Sequence, residues 1–495
     1  WSISDRSPKE RIVATGLSII LLWGIMSTVS RGPIVAFIPG FLLFIPLLWR
    51  QIKARWKTLL LVILSAVAFQ AIMATNVQKR FDLAERFAKS MSAATAGINE
   101  EQRIYVWKST AEIIKDAPLM GRGIGTFYLY YPEYRNPMER GGVFYAHNDP
   151  LQFWAELGLL GPILFYGFVI AAAVRTFKAL KPLSANDPNR LKIVTVFSAL
   201  AAMVAQSHVN FNHYNSSILL ITGLLLSVWF ILTRNSLKEP QKLVAMPDNM
   251  PRNFNKAILA LPFLMIGWLY VSILGGEYAV NKARDALFVQ DMQSFMDNIN
   301  RANHISMGLN YRAYMFAVNV PMAILEDRKA SISQEQQKKL YDQVVNYMDI
   351  VLALNPRMAS AYYYLAKVQS MVAASVVPKD TPQAEALYRE ALKLDPAHLG
   401  ARMELLKIYQ AQSKSVSEQI AFMEEGYKFS YSTDQALGYY DALARLYLEV
   451  GNYGKVQEVL LRRKSLQDLS DFSRKRQSLS IPQAVMGGDD ALPTP

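Results

Sequence analysis

The chain has 495 residues, 52% of them hydrophobic, no cysteine, and a formal charge of +13 at pH 7. The missing cysteines exclude disulfides and Cys-based zinc or redox centres, and they fit an oxidising compartment without proving one. The positive charge raises nucleic-acid binding, which the placement of the charges must decide. The first residue is Trp1, so the chain is expected to be a fragment lacking N-terminal helices.

Seven mostly apolar runs are long enough to cross a bilayer core, near 12–29, 32–49, 58–75, 153–174, 193–210, 215–233 and 257–275. If the first enters from the cytoplasm, loops 50–57, 175–192 and 234–256 are cytoplasmic, and together they hold 14 Lys or Arg against three acids. On the other side, residues 30–31 contribute only Arg31 and 208–214 no Lys or Arg. This asymmetry sets the orientation and turns the basic charge into a cytoplasmic address, which removes nucleic acid as a partner. The expected class is an all-α, polytopic membrane protein. Its divisions are 1–75 (three spans), 76–152 (an outer loop), 153–276 (four spans) and 277–495 (an outer helical domain).

Arg31 stands between two spans in "STVSRGPIVAF". Arginine binds phosphate oxygens bidentately, and an arginine at this depth also snorkels to lipid headgroups. In the outer loop, "EEQRIYVWKSTAEIIKDAPLMGRGIGTF" reads as a helix with an apolar stripe of Ile104, Trp107, Ala111 and Ile114, ended by Pro118. Arg103 lies beside that stripe. Gly121, Gly123 and Gly125 follow no strand and open no nucleotide-type helix, so a plain turn is favoured over a phosphate cradle.

The stretch "YAHNDPLQFWAELGLLGP" closes the loop. Asp149 is expected to cap a helix whose first turn holds Pro150, with the fourth span following directly. His147 and Asn148 precede it at the outer surface. Gln152 and Glu156, four apart, share one face, and a carboxylate there should face the bundle interior or a wet cavity. The helix N-terminus suits an anionic ligand. The alternative is that Gln152 and Glu156 merely stitch helices together and that His147 is an idle interfacial residue. His147, His208 and His213 all sit at expected outer membrane edges, the last two in "SHVNFNHYNS", whose polarity fits either capping or a site.

Beyond residue 277, "ALYREALKLDPAHLGARMELLKIY" has tetratricopeptide-like spacing, and "YMDIVLALNPRMASAYYYLAKV" matches it 40 residues earlier, Pro356 aligning with Pro396. "ALARLYLEVGNYGKVQEVL" resembles a third copy. An α-solenoid of such repeats is expected, with a degenerate opening pair over 277–320. No HExxH, Walker A, GxSxG or paired-Asp nucleotide-sugar motif occurs, so metal hydrolysis, ATP use and a nucleophile-elbow enzyme lack support.

"SRG" at 30–32, Arg103 with Trp107, "APLMGRGIGTF" and above all "HNDPLQFWAELGLLG" (His147 to Gly161) resemble the O-antigen ligase and polymerase family of bacterial membrane glycosyltransferases. The resemblance spans about residues 1–235. It implies transfer of a glycan from an undecaprenyl-type polyprenyl diphosphate to an acceptor hydroxyl on the periplasmic side of the inner (cytoplasmic) membrane. The reaction would be metal-independent and inverting, without a cofactor. The acceptor would be lipid A-core, a growing glycan or a protein Ser or Thr, as in protein O-oligosaccharyltransferases. The tetratricopeptide-like domain, found in some of these enzymes, would hold a protein partner.

On this reading Arg31 and Arg103 stabilise the departing diphosphate and His147 takes the acceptor proton. Asn148, Gln152, Glu156, Trp107 and His213 form the substrate-binding surroundings. The competing readings are an O-antigen polymerase, a noncatalytic membrane anchor for the repeat domain, and a transporter. An enzyme requires Arg31, Arg103, His147 and His213 to gather around one outward cavity, whereas a transporter places its polar residues near the midplane.

Overall fold

The computed structural model describes residues 7–27, 31–76, 102–139, 143–239, 252–327, 332–373, 375–378, 382–431 and 435–480. Every regular element among them is helical. The chain divides into two compact units, 1–136 with 143–244, and 137–142 with 245–495.

The first unit holds α1 (Pro8–Ser27), α2 (Arg31–Leu47), α3 (Trp49–Ala54), α4 (Trp56–Asn76), α5 (Gln102–Asp116), α6 (Phe127–Tyr134), α7 (Asp149–Leu157), α8 (Leu160–Leu180), α9 (Pro188–Ser207) and α10 (Ser216–Ser236). Among the described residues three helices are long and apolar enough to cross a membrane: α8, α9 and Ser217–Ser236 of α10. Shorter apolar stretches occur in α2 (Phe37–Leu47) and α4 (Trp56–Phe69). The chain is therefore a helical membrane protein, with three of the seven expected crossings meeting that measure. On α8, Ile163, Ile170 and Val174 are exposed, a face that is costly in water and natural in lipid. At one end of the bundle Arg175 makes a two-pronged ion pair with Glu239 at 3.1 and 2.7 Å. Leu48 and Ile52 pack there with Leu180, Ile193 and Val194.

The expected single span over 153–174 is instead two helices. The short α7 ends at Gly158, and the spanning α8 starts at Leu160. Gly158 has φ 64°, and Gly121 in the loop it meets has φ 68°, both in the left-handed region where a side chain is strained. A Cβ on Gly158 would also lie 2.0 Å from the Leu119 carbonyl oxygen, and one on Gly121 would lie 2.4 Å from that of Glu156. The chain turns where two backbones touch. Hydropathy reads straight through the junction because Leu157, Leu159 and Leu160 flank Gly158.

The second unit begins with α11 (Arg252–Phe288), which contains the seventh apolar run, followed by α12 (Met292–Ile305), α13 (Tyr311–Ala317) and α14 (Asn319–Glu326). Ala283 and Ala286 of α11 pack on Phe295 and Ile299 of α12. Paired helices follow: α15 (Gln334–Leu354) with α16 (Ala359–Met371), α17 (Ala384–Leu394) with α18 (Leu399–Ala411), and α19 (Val416–Tyr427) with α20 (Gln435–Glu449), before α21 (Tyr453–Ser480).

The 40-residue period is visible in the turns. Asn355 (φ −142°, ψ 81°) and Asp395 (φ −140°, ψ 89°) end their helices alike. Each donates its N–H to the carbonyl four residues back, at 2.7 and 2.9 Å, and each accepts from the residue three ahead, at 3.1 and 3.0 Å. Tyr388, Ala391, Ala401 and Leu405 fill the core of the middle pair with Ala366 of the pair before.

Gly158→Ala should lower stability by more than about 2 kcal/mol, because it adds left-handed strain to a backbone clash. Gly167→Ala, on α8 with nothing within 4 Å of the added atom, should be neutral. Thermal unfolding of the two purified proteins in one detergent checks the contrast; equal melting temperatures would refute the close-contact account.

Candidate active site

The site is built on α7. Asn148 stands in extended backbone, and its side-chain oxygen accepts the Leu151 N–H at 3.1 Å. Asn148 is thus the N-cap, the role expected of Asp149. Asp149 is the first helical residue, and its carboxylate turns away to the 208–215 turn. Asp149, Gln152 and Glu156 are all buried, and their i, i+3, i+7 spacing lines one face of the helix.

Glu156 is the most heavily bonded of the three. Its Oε2 accepts the Gly125 N–H and the Tyr214 hydroxyl, both at 2.8 Å. Its Oε1 accepts the Gln152 amide at 3.0 Å and the Phe127 N–H at 3.3 Å. Gln152 passes the network on, its carbonyl accepting the Ala146 N–H at 2.9 Å. Burial, with the Glu156 charge adding to it, pushes the Tyr214 hydroxyl far above its ordinary titration range. Tyr214 therefore stays protonated and remains a donor to the carboxylate.

The glycine loop serves this helix. The Arg122 and Gly123 N–H groups donate to the carbonyls of Ala155 and Glu156, both at 2.9 Å, and Leu159 N–H reaches Leu119 O at 3.3 Å. Helix C-termini leave carbonyls unsatisfied, and here the loop fills them. Its N–H groups point at protein, which supports the plain-turn reading. Arg122 itself bonds Asp116 at 3.3 Å and Tyr134 at 3.2 Å, and it lies 5.0 Å over the Tyr130 ring.

At the head of α7, Asp149 Oδ2 accepts both the His213 Nδ1–H at 2.7 Å and the His213 backbone N–H at 3.2 Å. An aromatic wall surrounds them. Tyr145 stacks on Phe211 at 4.8 Å and tilts against Tyr214 at 5.2 Å. His147 meets the edge of Phe211 at 4.9 Å, and His213 meets Phe153 at 5.6 Å. His147 has φ 53°, a conformation that costs a non-glycine residue about 1 kcal/mol or more and that gathers at functional sites. His208 is bonded to Tyr166 and to the Val204 carbonyl.

Below this wall lies a cavity of about 640 Å³ among α2, α7, α8, α9 and α10. Its α8 side runs from Gly161 to Phe177, a length of about 24 Å at the helical rise. Leu164, Phe165, Phe168 and Ala172 line that side, and the polar lining is confined to Asn212, His213 and Thr222. A long apolar groove therefore ends at the imidazole that Asp149 holds.

Residues 16–166 match the family model for O-antigen ligase. The match covers just under a third of the 495 residues and includes α5, α7 and the glycine loop. No curated protein matches the chain. The match supports a membrane glycosyltransferase of the O-antigen ligase or polymerase type, a family with a lipid-linked glycan donor.

Of the expected site residues, Gln152, Glu156 and His213 come together with Asp149, while His147 and Asn148 stand at the helix entrance. Asn148 is engaged in capping. The Arg31 side chain lies outside the described residues. The stripe on α5 differs from expectation: the buried residues are Val106, Ser109, Thr110, Ile113 and Ile114. Thr110 and Ser109 donate back to the carbonyls of Val106 (2.7 Å) and Tyr105 (3.1 Å), and Ser109 accepts the Asn136 N–H at 2.9 Å. Satisfied hydroxyls can be buried. With this register the half-buried Arg103 stands one turn before the buried Val106, Thr110 and Ile113, in line with them rather than beside them. Trp107 is half-buried, and its Nε1 has no hydrogen-bond partner among the described residues.

No local pattern marks Tyr214 or the partner of His213. Asp149 shares the period of Gln152 and Glu156, yet its place before Pro150 resembles a cap. Glu156→Gln keeps the shape but turns one acceptor oxygen into a donor facing donors. It should cost about 2–3 kcal/mol, and Tyr214→Phe about 1 kcal/mol. Denaturant unfolding of the two variants checks the order; a Glu156→Gln protein as stable as wild type would break this account of the network.

Proposed function

We propose that the protein transfers a glycan from a polyprenyl diphosphate carrier to an acceptor hydroxyl at the periplasmic face of the inner membrane. The reaction is metal-independent and inverting. The observation that carries this reading is the meeting of a buried polar face on α7, which lies inside the stretch that matches the O-antigen ligase family, with one end of a membrane-depth apolar groove that runs on beyond that stretch. A polyprenyl-linked donor has the same division, a hydrocarbon chain joined to a polar diphosphate and sugar.

The reading assigns the hydrocarbon to the groove and the diphosphate to its polar end. Arg103 and Arg31 offset the negative charge that grows on the diphosphate as the glycosidic bond breaks. His147 takes the proton from the acceptor hydroxyl as the new bond to the sugar's anomeric carbon forms, a step typically worth about 10²–10⁴-fold. Asn148, Gln152, Glu156, Trp107 and His213 form the substrate-binding surroundings. The acceptor is lipid A-core or a protein hydroxyl, and the tetratricopeptide-like helices of the second unit offer a surface for a protein partner. An O-antigen polymerase would share the donor chemistry and differ in the acceptor, a growing glycan.

His147→Ala and Arg103→Ala should each reduce glycan transfer at least about 100-fold while the protein inserts and accumulates normally. The readout is glycan on lipopolysaccharide and on total protein in a deletion strain carrying each variant. Transfer at wild-type rate by both variants would remove the roles given to His147 and Arg103; unchanged glycan in the deletion strain itself would remove the enzymatic reading and leave a noncatalytic anchor. Loss of chain length alone, with attachment intact, would point to a polymerase.

A further inference from the structure

We propose that His213, held by Asp149, is the group that meets the donor's diphosphate, and that it does so by taking up a proton when the donor binds. This rests on the glycosyltransferase reading above.

Asp149 is fully buried, its Oδ2 is occupied by two N–H groups of His213, and its Oδ1 has no hydrogen-bond partner among the described residues. The ring is therefore fixed at its Nδ1 edge and by its own backbone N–H. The Nδ1–H is fixed towards Asp149, so Nε2 is the imidazole's remaining polar atom. His213 also lines the head of the apolar groove beside Phe153, Phe165 and Asn212. A prenyl chain lying along α8 would bring its own diphosphate to that end.

A neutral imidazole offers Nε2 as an acceptor, which repels phosphate oxygen. One proton taken from solvent at Nε2 reverses this: Nε2–H donates to a phosphate oxygen while Nδ1–H stays on Asp149. The carboxylate is then paired and the anion is met by a charge-assisted donor. The other titratable groups around the ring are Glu156, reached through Tyr214, His208 across Phe165, and His147 across the aromatic wall. None of these bonds His213 directly, so the proton is assigned to the Asp149–His213 pair. The role differs from that of His147, which acts on the acceptor.

The test uses the full chain in phosphatidylcholine nanodiscs. The probe is a prenyl diphosphate capped by a sugar, whose two phosphates each carry one fixed charge near neutral pH, so that the ligand does not titrate. The matching prenyl alcohol serves as the tail-only control. Calorimetry in two buffers of different ionisation enthalpy should show about one proton taken up per diphosphate bound and none for the alcohol. Affinity for the diphosphate should fall about tenfold for each pH unit over the range in which one proton is taken up.

His213→Gln and Asp149→Asn should each abolish the proton uptake, flatten the pH dependence and weaken diphosphate binding about tenfold or more, with alcohol binding unchanged. Diphosphate binding by wild type without proton uptake overturns the inference and leaves the glycosyltransferase reading standing. Failure of wild type to bind either lipid removes that reading as well. Equal displacement by phosphatidylglycerol would assign the pair to an ordinary lipid headgroup and also overturn the inference.

Discussion

The carboxylate of Glu156 accepts hydrogen bonds from four places in the chain: its own helix through Gln152, the glycine loop through Gly125, the start of α6 through Phe127, and the turn between α9 and α10 through Tyr214. Taking a carboxylate out of water costs several kcal/mol, and only a full set of donors offsets it. The arrangement is therefore cooperative. Removing one donor weakens the case for burying the charge, and removing the charge leaves backbone N–H groups facing an interior without an acceptor. The loop, the outer helices and the membrane-edge turn can all occupy their positions only together.

The break at Gly158 follows from the same constraint. A continuous helix from Asp149 to Leu180 would carry Asp149, Gln152 and Glu156 along the axis of a membrane span, where each would need a partner within the bundle. Ending α7 early frees it to lie against the glycine loop, but it also exposes the last carbonyls of the helix. In a membrane these groups cannot be left to lipid, and the N–H groups of Arg122 and Gly123 take them instead. The closeness of that contact is what excludes side chains at Gly121 and Gly158. The polar face of α7 and the apolar α8 then adjoin across two residues.

What the sequence made legible was periodic and local. Gln152 and Glu156 share a face because of their spacing, and the second unit's matching turns announce themselves through Pro356 and Pro396. The failures have distinct physical causes. Asp before Pro is a strong capping signal, and it concealed a carboxylate committed to a histidine 64 residues away. Tyr214 reaches Glu156 across 58 residues, and no local pattern encodes such a pairing. The apolar stripe of α5 does not include Ser109 and Thr110, whose hydroxyls bond back to the helix and are buried. The buried face is therefore rotated from that stripe towards the line of Arg103.

The 208–215 turn has a position that gives it a further consequence. It joins α9 to α10, two walls of the apolar groove, and it also supplies Phe211, His213 and Tyr214 to the polar site. The ring of Phe211 supports both Tyr145 and His147, while His213 packs on Phe153 and Phe165. The walls of the apolar groove and the polar groups therefore share one turn, and Tyr214 ties that turn to the four bonds on Glu156.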